Sequence, residues 1–194
     1  MDTMLANASG HVVLELEDSL ANEGGTAAAE RFLRLANGEL DRAYRLAGLI
    51  LADQHEAEDA TQDALLRAWR SAGSLRDPAG FQAWFDRILV NVCRDRLRRR
   101  GKVRLIAIED GLSASRDRDP FRTIIDRDEV LRAMASLDDD HRIVIVLHYW
   151  ADLTLQGVAE RVGWPIGTVK SRLHRGLMTM RSRLEAAAVA EAQR

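Results

Sequence analysis

Between Thr154 and Leu184 the chain reads as two helices set at an angle by a short turn, a pattern that few folds accommodate. Leu155, Val158, Ala159 and Val162 recur three and four residues apart and form one apolar stripe. Thr154 is a favoured helix cap, Gly163 can end the helix in the left-handed conformation, and Pro165 suits the start of the next. In that second helix Val169, Leu173, Leu177, Met180 and Leu184 step by three and four toward a core. Thr168, Lys170, Ser171, Arg172, His174 and Arg175 are left on the other face. A helix-turn-helix carries such donors where its second helix enters a DNA groove. Arginine can grip guanine with two hydrogen bonds, lysine and serine can serve bases or phosphates, and the helix end itself favours phosphate.

The rest of the chain predicts an all-α fold: two small helical domains joined by a flexible acidic linker, the second being the helix-turn-helix module. Aromatics are 5% of 194 residues, and the 13 glycines and 3 prolines are sparse, which leans away from β architecture. Residues 1–26 show no period and are set apart as an extension. Residues 27–100 form the first domain. Leu40, Ala43, Tyr44, Ala47, Ile50 and Leu51 make one stripe, and a second helix from about Glu56 to Arg70 turns Ala57, Ala60, Ala64, Leu65, Ala68 and Trp69 inward. Asp77-Pro78 opens a third helix with Phe81, Trp84, Phe85, Ile88, Leu89 and Val92 as its stripe. Residues 101–128, with Glu109, Asp110, Gly111, Ser113, Ser115, Asp117, Asp119 and Pro120, read as the linker, and residues 129–188 as the second domain.

The net charge of −2 hides strong segregation. Asp53, Glu56, Glu58, Asp59 and Asp63 stand together without a basic residue. Arg94, Arg96, Arg98, Arg99, Arg100, Lys102 and Arg104 face the single acid Asp95, and Arg161 to Arg183 holds only basic charges. Blocks of this kind mark separate partner surfaces, and two basic blocks in one chain favour nucleic acid over a pure protein-interaction module. Cys93 is the only cysteine, so it forms no internal disulfide and no thiolate zinc site of its own; it reads as a small buried apolar residue.

Two stretches in register resemble one known family. Thr-Leu-Gln-Gly-Val-Ala-Glu-Arg-Val-Gly at 154–163 and Gly-Thr-Val-Lys-Ser-Arg-Leu-His-Arg at 167–175 resemble the −35-reading module of bacterial sigma factors, nearest to the extracytoplasmic-function (ECF) group. Ala57-Glu58-Asp59-Ala60-Thr61-Gln62-Asp63 is similar to that group's polymerase-binding helix, and 81–91 with 94–100 to its −10-reading helix. The resemblance covers about residues 30–100 and 130–185. It implies an alternative sigma factor that binds core RNA polymerase and directs promoter-specific initiation through −10 and −35 elements. By the same resemblance Asp59, Gln62, Asp63 and Leu66 would dock on the β′ coiled coil, with the β flap as a further contact. Asn91 would line a pocket for a flipped −10 base, above a core-packed Trp84. Arg94, Arg96, Arg98, Arg99 and Arg100 would hold phosphates, and Thr168, Lys170, Ser171, Arg172, His174 and Arg175 would read the −35 element. An anti-sigma protein, soluble or membrane-bound, is an implied partner. The sequence departs from the family at Gly157 (usually Glu), Asp138 (commonly Pro) and Gly176, which sits inside the recognition helix at about 1 kcal/mol against alanine.

Catalysis is not expected. His55 near Glu56, Glu58 and Asp59, and His141 with His148, are the only groupings that suggest a metal, and no His-Glu-x-x-His, phosphate-cradling glycine loop or nucleophile elbow occurs. No cofactor, metal or small-molecule substrate is therefore expected. No apolar run approaches the roughly 20 residues of a membrane span, and Met1–Gly10 lacks a secretory pattern, so a cytoplasmic location is expected, with any membrane tether supplied by the anti-sigma protein. The rival reading is a helix-turn-helix regulator that acts without being a polymerase subunit, which would have no need of the motifs at 58–63 and 81–100.

Overall fold

The computed structural model describes residues 26–75, 77–109 and 129–193, and among these every regular element is helical. Residues 1–25 and 110–128, which hold most of the expected extension and linker, lie outside the described residues. Helix α1, Thr26–Leu51, turns Phe32, Ala36, Leu40, Ala43, Leu46, Ala47 and Ile50 into the core. It ends at Ala52, which adopts φ 53° without being glycine and donates its N–H to the Gly48 carbonyl at 2.8 Å. Helix α2, Gln54–Arg70, is capped by Asp53, whose carboxylate accepts from the Glu56 N–H at 2.9 Å. Its buried Ala57, Ala60, Ala64 and Ala68 let it lie close against α1. Helix α3, Phe81–Glu109, follows a 3-10 turn at Pro78–Gly80 capped by Asp77. At one end of this module Phe32, Trp69, Phe81 and Phe85 interlock with ring centroids 5.3–5.9 Å apart.

Inside the three-helix module, Asp86 is 1% exposed and is hydrogen-bonded and ion-paired to Arg42, which also holds Glu39. Burial pushes the Asp86 carboxyl above its ordinary value, opposed by Arg42 and, from the second module, by Arg161. The pair fixes α1 to α3, because an unpartnered carboxylate in this position would be strongly unfavourable.

The second module comprises α4 (Glu129–Ala135), α5 (Asp139–Ile145), α6 (Leu155–Val162) and α7 (Ile166–Ala192). Asp138 caps α5 by accepting from the His141 N–H at 3.0 Å. The helix then widens into a π turn, Val146–Trp150, closed by the Ala151 N–H on the Val146 carbonyl at 3.1 Å. Thr154 caps α6 by accepting from the Gly157 N–H at 3.1 Å, so the cap forms although Gly157 replaces the glutamate of a full capping box. Gly163 ends α6 at φ 69°, as its type and place predict.

Two expectations need correction. The helix bearing the arginines does not stop at residue 100 but runs to Glu109, since Lys102 to Ile108 contains good helix formers and Gly101 alone is too weak a break. Leu177 is 37% exposed instead of facing the core. Its expected inward place is taken by Gly176, where α7 crosses α5: a Cβ there would lie 2.8 Å from Ile145 Cδ1 and 3.2 Å from His141 Cβ. The two modules also pack on one another. α1 packs on α5 and the π turn, and α3 packs on α6, so that one buried apolar cluster runs from Phe32 and Leu46 through Phe85 and Leu89 to Val144, Leu147, Val162 and Val169.

Two variants test these packing statements. Gly176→Ala should gain about 1 kcal/mol of helix propensity but lose about 1–3 kcal/mol to overpacking, so denaturant unfolding should show net destabilisation; a gain in stability would mean that α5 yields freely. Arg42→Ala should destabilise by about 3 kcal/mol at neutral pH. Because the native Asp86 pKa is raised above its unfolded value, this group favours folding when protonated and opposes it as pH rises through that pKa. The deficit should therefore shrink as pH falls toward the carboxylate range, and an unchanged deficit would show that the lost charge pairing is not its cause.

Candidate nucleic-acid interface

The acids of α2 at positions 59 and 63, with Gln62 and Leu66 between and beyond them, form one helical face. The Asp59 side chain is 64% exposed and Asp63 46% exposed, and Leu66 is an exposed large apolar residue on the same face. An acidic stripe with an apolar end suits a basic helical partner. Its charge is partly answered from within the chain: Arg96 on α3 donates to Glu56 at 3.0 Å, to Asp59 at 3.4 Å and to Asp63 at 2.6 Å. Partial burial works against the Arg96 charge, yet the hydrogen bonds it donates to Asp63 and Glu56 raise its pKa overall.

The five arginines expected to act together are divided by the helix period. Arg96 and Arg100 face α2 and the end of α1; Arg100 donates to the Leu51 carbonyl at 3.1 Å and pairs with Asp53 at 3.0 Å and Glu56 at 3.5 Å. Arg94 faces the opposite way, toward the second module, where its Nη1 donates to the Val162 carbonyl at 3.0 Å and its guanidinium lies 4.7 Å from the Trp164 ring centroid. Arg98 and Arg99 are exposed, with Arg98 paired to Asp95 in the preceding turn. Asn91 is exposed on α3, one turn before the arginines, while Trp84 is half-buried against Phe81. The charge block was visible in the sequence; its partition required the partners from α1, α2 and α6.

On α7, Lys170, Ser171, His174 and Arg175 are exposed, and Thr168 is half-buried at the first turn. Ser171 Oγ donates to the Thr168 carbonyl at 3.0 Å, which leaves its lone pairs outward. Arg172 is turned aside: its Nη2 pairs with Asp140 at 2.7 Å and its guanidinium sits 3.8 Å from the Trp164 ring centroid. No local pattern marks Trp164 as the residue on which Arg94 and Arg172 meet, because neither approach is local. The histidines considered for a metal make local contacts instead: His141 Nδ1 lies 2.7 Å from Asp138 Oδ2, and His148 Nδ1 lies 2.7 Å from the Leu153 carbonyl. Among the described residues no group of three or more His, Cys, Asp or Glu side chains is placed to hold a metal ion. No helix among them is long and apolar enough to cross a membrane.

Comparison with known proteins meets this geometry in both modules. The family model Sigma-70 region 2 matches residues 35–103, and Sigma-70, region 4 matches residues 133–182. The chain is 34% identical over 166 residues to the ECF RNA polymerase sigma factor SigE of Mycolicibacterium smegmatis, covering 83% of this chain and 64% of that one. It is 33% identical over 141 residues to the RNA polymerase sigma factor SigV of Bacillus subtilis, covering 73% and 83%. It is 31% identical over 172 residues to the ECF sigma factor SigL of Mycobacterium tuberculosis, covering 86% and 97%. Among solved structures, the sigma factor RpoE in complex with the anti-sigma factor NepR from Bartonella quintana is similar at a TM-score of 0.59 and 25% identity, over 75% of this chain and 91% of that one. CnrH in complex with the cytosolic domain of CnrY shares the fold at a TM-score of 0.56 and 23% identity, over 92% and 98%.

The division of the arginines predicts unequal effects on stability. Arg96→Ala removes three carboxylate contacts and should lower stability by about 1–3 kcal/mol, read as a fall in Tm. Arg99→Ala, on the exposed face, should stay within about 0.5 kcal/mol of the parent. Equal effects from the two would show that the α2–α3 ion cluster contributes nothing to folding.

Proposed function

Because the chain belongs to the ECF group of the sigma-70 family of RNA polymerase sigma factors, we propose that its two modules join core polymerase to the −10 and −35 elements of a promoter. The observation that carries this reading is the pairing, in one chain and in family order, of an acidic–apolar face on α2 with a donor-rich face on the first half of α7. Asp59, Gln62, Asp63 and Leu66 dock on the β′ coiled coil, with Arg96 setting how much of the acidic charge is offered. The β flap supports the second module.

Promoter reading is shared between the modules. Asn91 takes up a base flipped from the −10 element, and the few kcal/mol of unstacking are offset by the pocket and by polymerase contacts. Arg98 and Arg99 hold phosphates, which contributes affinity and salt dependence but no sequence choice. Lys170, Ser171, His174 and Arg175 enter the major groove at the −35 element, with Thr168 near the phosphate at the helix end. Residues 105–128 run through the polymerase near the template or RNA path. An anti-sigma protein that engages both modules controls the factor, a reading supported by the RpoE–NepR likeness. The factor works in the cytoplasm, and any membrane tether comes through that partner.

Run-off transcription with core polymerase on a genomic template library should give promoter-dependent transcripts only when the chain is added; their absence would defeat the proposal. In the same assay Arg175→Ala should relax preference at one −35 position by roughly 1–3 kcal/mol. Uniform loss across all sequences would make Arg175 a phosphate contact instead.

A further inference from the structure

Helix α7 opens with an apolar residue on the face that the proposed function turns toward DNA. Ile166 is its first residue and is 41% exposed. A single exposed apolar side chain is ordinary on a protein surface; Ile166 is set apart by its place. It lies four residues before Lys170, which lies four before His174, so the three make one stripe along the helix. Gly167, Ser171 and Arg175 make the parallel stripe beside it. All six residues are exposed, while Val169 on the inward side is buried. The donor face of α7 therefore extends one turn before Lys170, and there it is apolar.

The neighbours of Ile166 offer a base little. Gly167 has no side chain, its φ is not positive, and a Cβ built there would meet nothing within 4 Å. Neither crowding inside the protein nor the backbone conformation accounts for a glycine at this position, although glycine is a poor helix former. A bare position on this face lets the helix end come close to a surface outside the chain. Thr168 is half-buried, and its carbonyl accepts from Ser171 Oγ at 3.0 Å. Of residues 166–169, Ile166 is thus the one whose side chain can touch a base edge.

An isoleucine has neither donor nor acceptor, so it cannot read the hydrogen-bonding pattern of a base. What it can recognise in the major groove is the C5 methyl group of thymine. Packing that methyl against the branched side chain removes apolar surface of both from water. Resting on the proposed entry of α7 into the major groove, we infer that Ile166 is a specificity-determining residue of the −35 contact: it packs on a thymine methyl at the position beyond the one met by Lys170. Gly167 supplies the room for this approach. The −35 element is then read by two chemistries, hydrogen bonding along Lys170, Ser171, His174 and Arg175 and apolar contact at the first residue of the helix.

The test uses core polymerase loaded with the full chain, on the promoter that gives the strongest run-off transcript from the genomic library. Each thymine of its −35 element, on either strand, is replaced singly by deoxyuridine, which deletes the methyl and keeps every hydrogen-bonding group. At limiting holoenzyme the parent should lose about three- to fivefold in transcript yield at one thymine, the size expected for one buried methyl group. Ile166→Ala should give equal yields with thymine and uracil at that position, while Ile166→Val, still branched, should keep most of the discrimination. Alanine is the best helix former, so the first variant does not weaken the start of α7. Met178, also exposed and one turn beyond His174, is the control: Met178→Ala should respond to uracil as the parent does. Full sensitivity to uracil in Ile166→Ala, its loss in Met178→Ala, or its absence from the parent at every thymine overturns the inference. A −35 element with no thymine on either strand does the same. In each of these cases promoter-dependent transcription leaves the sigma-factor reading standing, whereas no such transcript on any template defeats that reading and the inference with it.

Discussion

The carbonyl end of α1 is the joint on which the arrangement of both modules depends. Helix α1 stops at Leu51 with its last carbonyls unpaired within the helix, and two arginines from elsewhere in the chain meet them. Arg100 of α3 donates to the Leu51 carbonyl, and Arg142 of α5 donates its Nε to the Ile50 carbonyl at 2.7 Å while its Nη2 holds Asp139. Cations at this end are favoured by the helix dipole as well as by the hydrogen bonds. Arg142 is only 6% exposed, and burial lowers its pKa, so removing its acceptors would strand a charge inside the protein. The helix end thus ties α3 to α1 within the first module and α5 to α1 across the modules. The continuous apolar cluster then closes around these bonds.

From that joint the roles of the basic residues follow. The helix period of α3 sends Arg96 and Arg100 to one side and Arg94 to the other, leaving Arg98 and Arg99 outward. One dense charge block therefore does three jobs: it pairs with the acids of α2, it bridges to the second module, and it presents exposed cation to solvent. The block on α7 divides in the same way, with Arg172 drawn to Asp140 and Trp164 while Lys170, His174 and Arg175 stay outward. Density of charge in a sequence measures how strongly a helix can be held by anions, internal or external. It does not say which of the two is present.

Much of the fold was legible where the deciding interaction is local. Asp138 and Thr154 accept from N–H groups three residues on, and Gly163 takes the left-handed conformation that its position after Val162 requires. The stripes of α1, α2 and α3 point where their spacing said. The failures share a cause. Leu177 fits the stripe of α7 by spacing, but α5 crosses at Gly176, so the inward face is set by which neighbour comes closest. Gly176 itself looked like a defect in the recognition helix and proves to be the contact that lets α5 approach.

What the sequence determined by itself was the set of helices, their caps, the two motifs in family order, and the faces that carry donors and acids, because these depend on neighbours within one or two turns. What only the tertiary structure decided was which charges stay available. Arg94, Arg96, Arg100, Arg142 and Arg172 are each taken by a carbonyl, carboxylate or ring contributed by another element, several of them 30 or more residues away in the chain. A guanidinium reaches whatever acceptor the fold brings within about 3 Å, and no local pattern records that encounter.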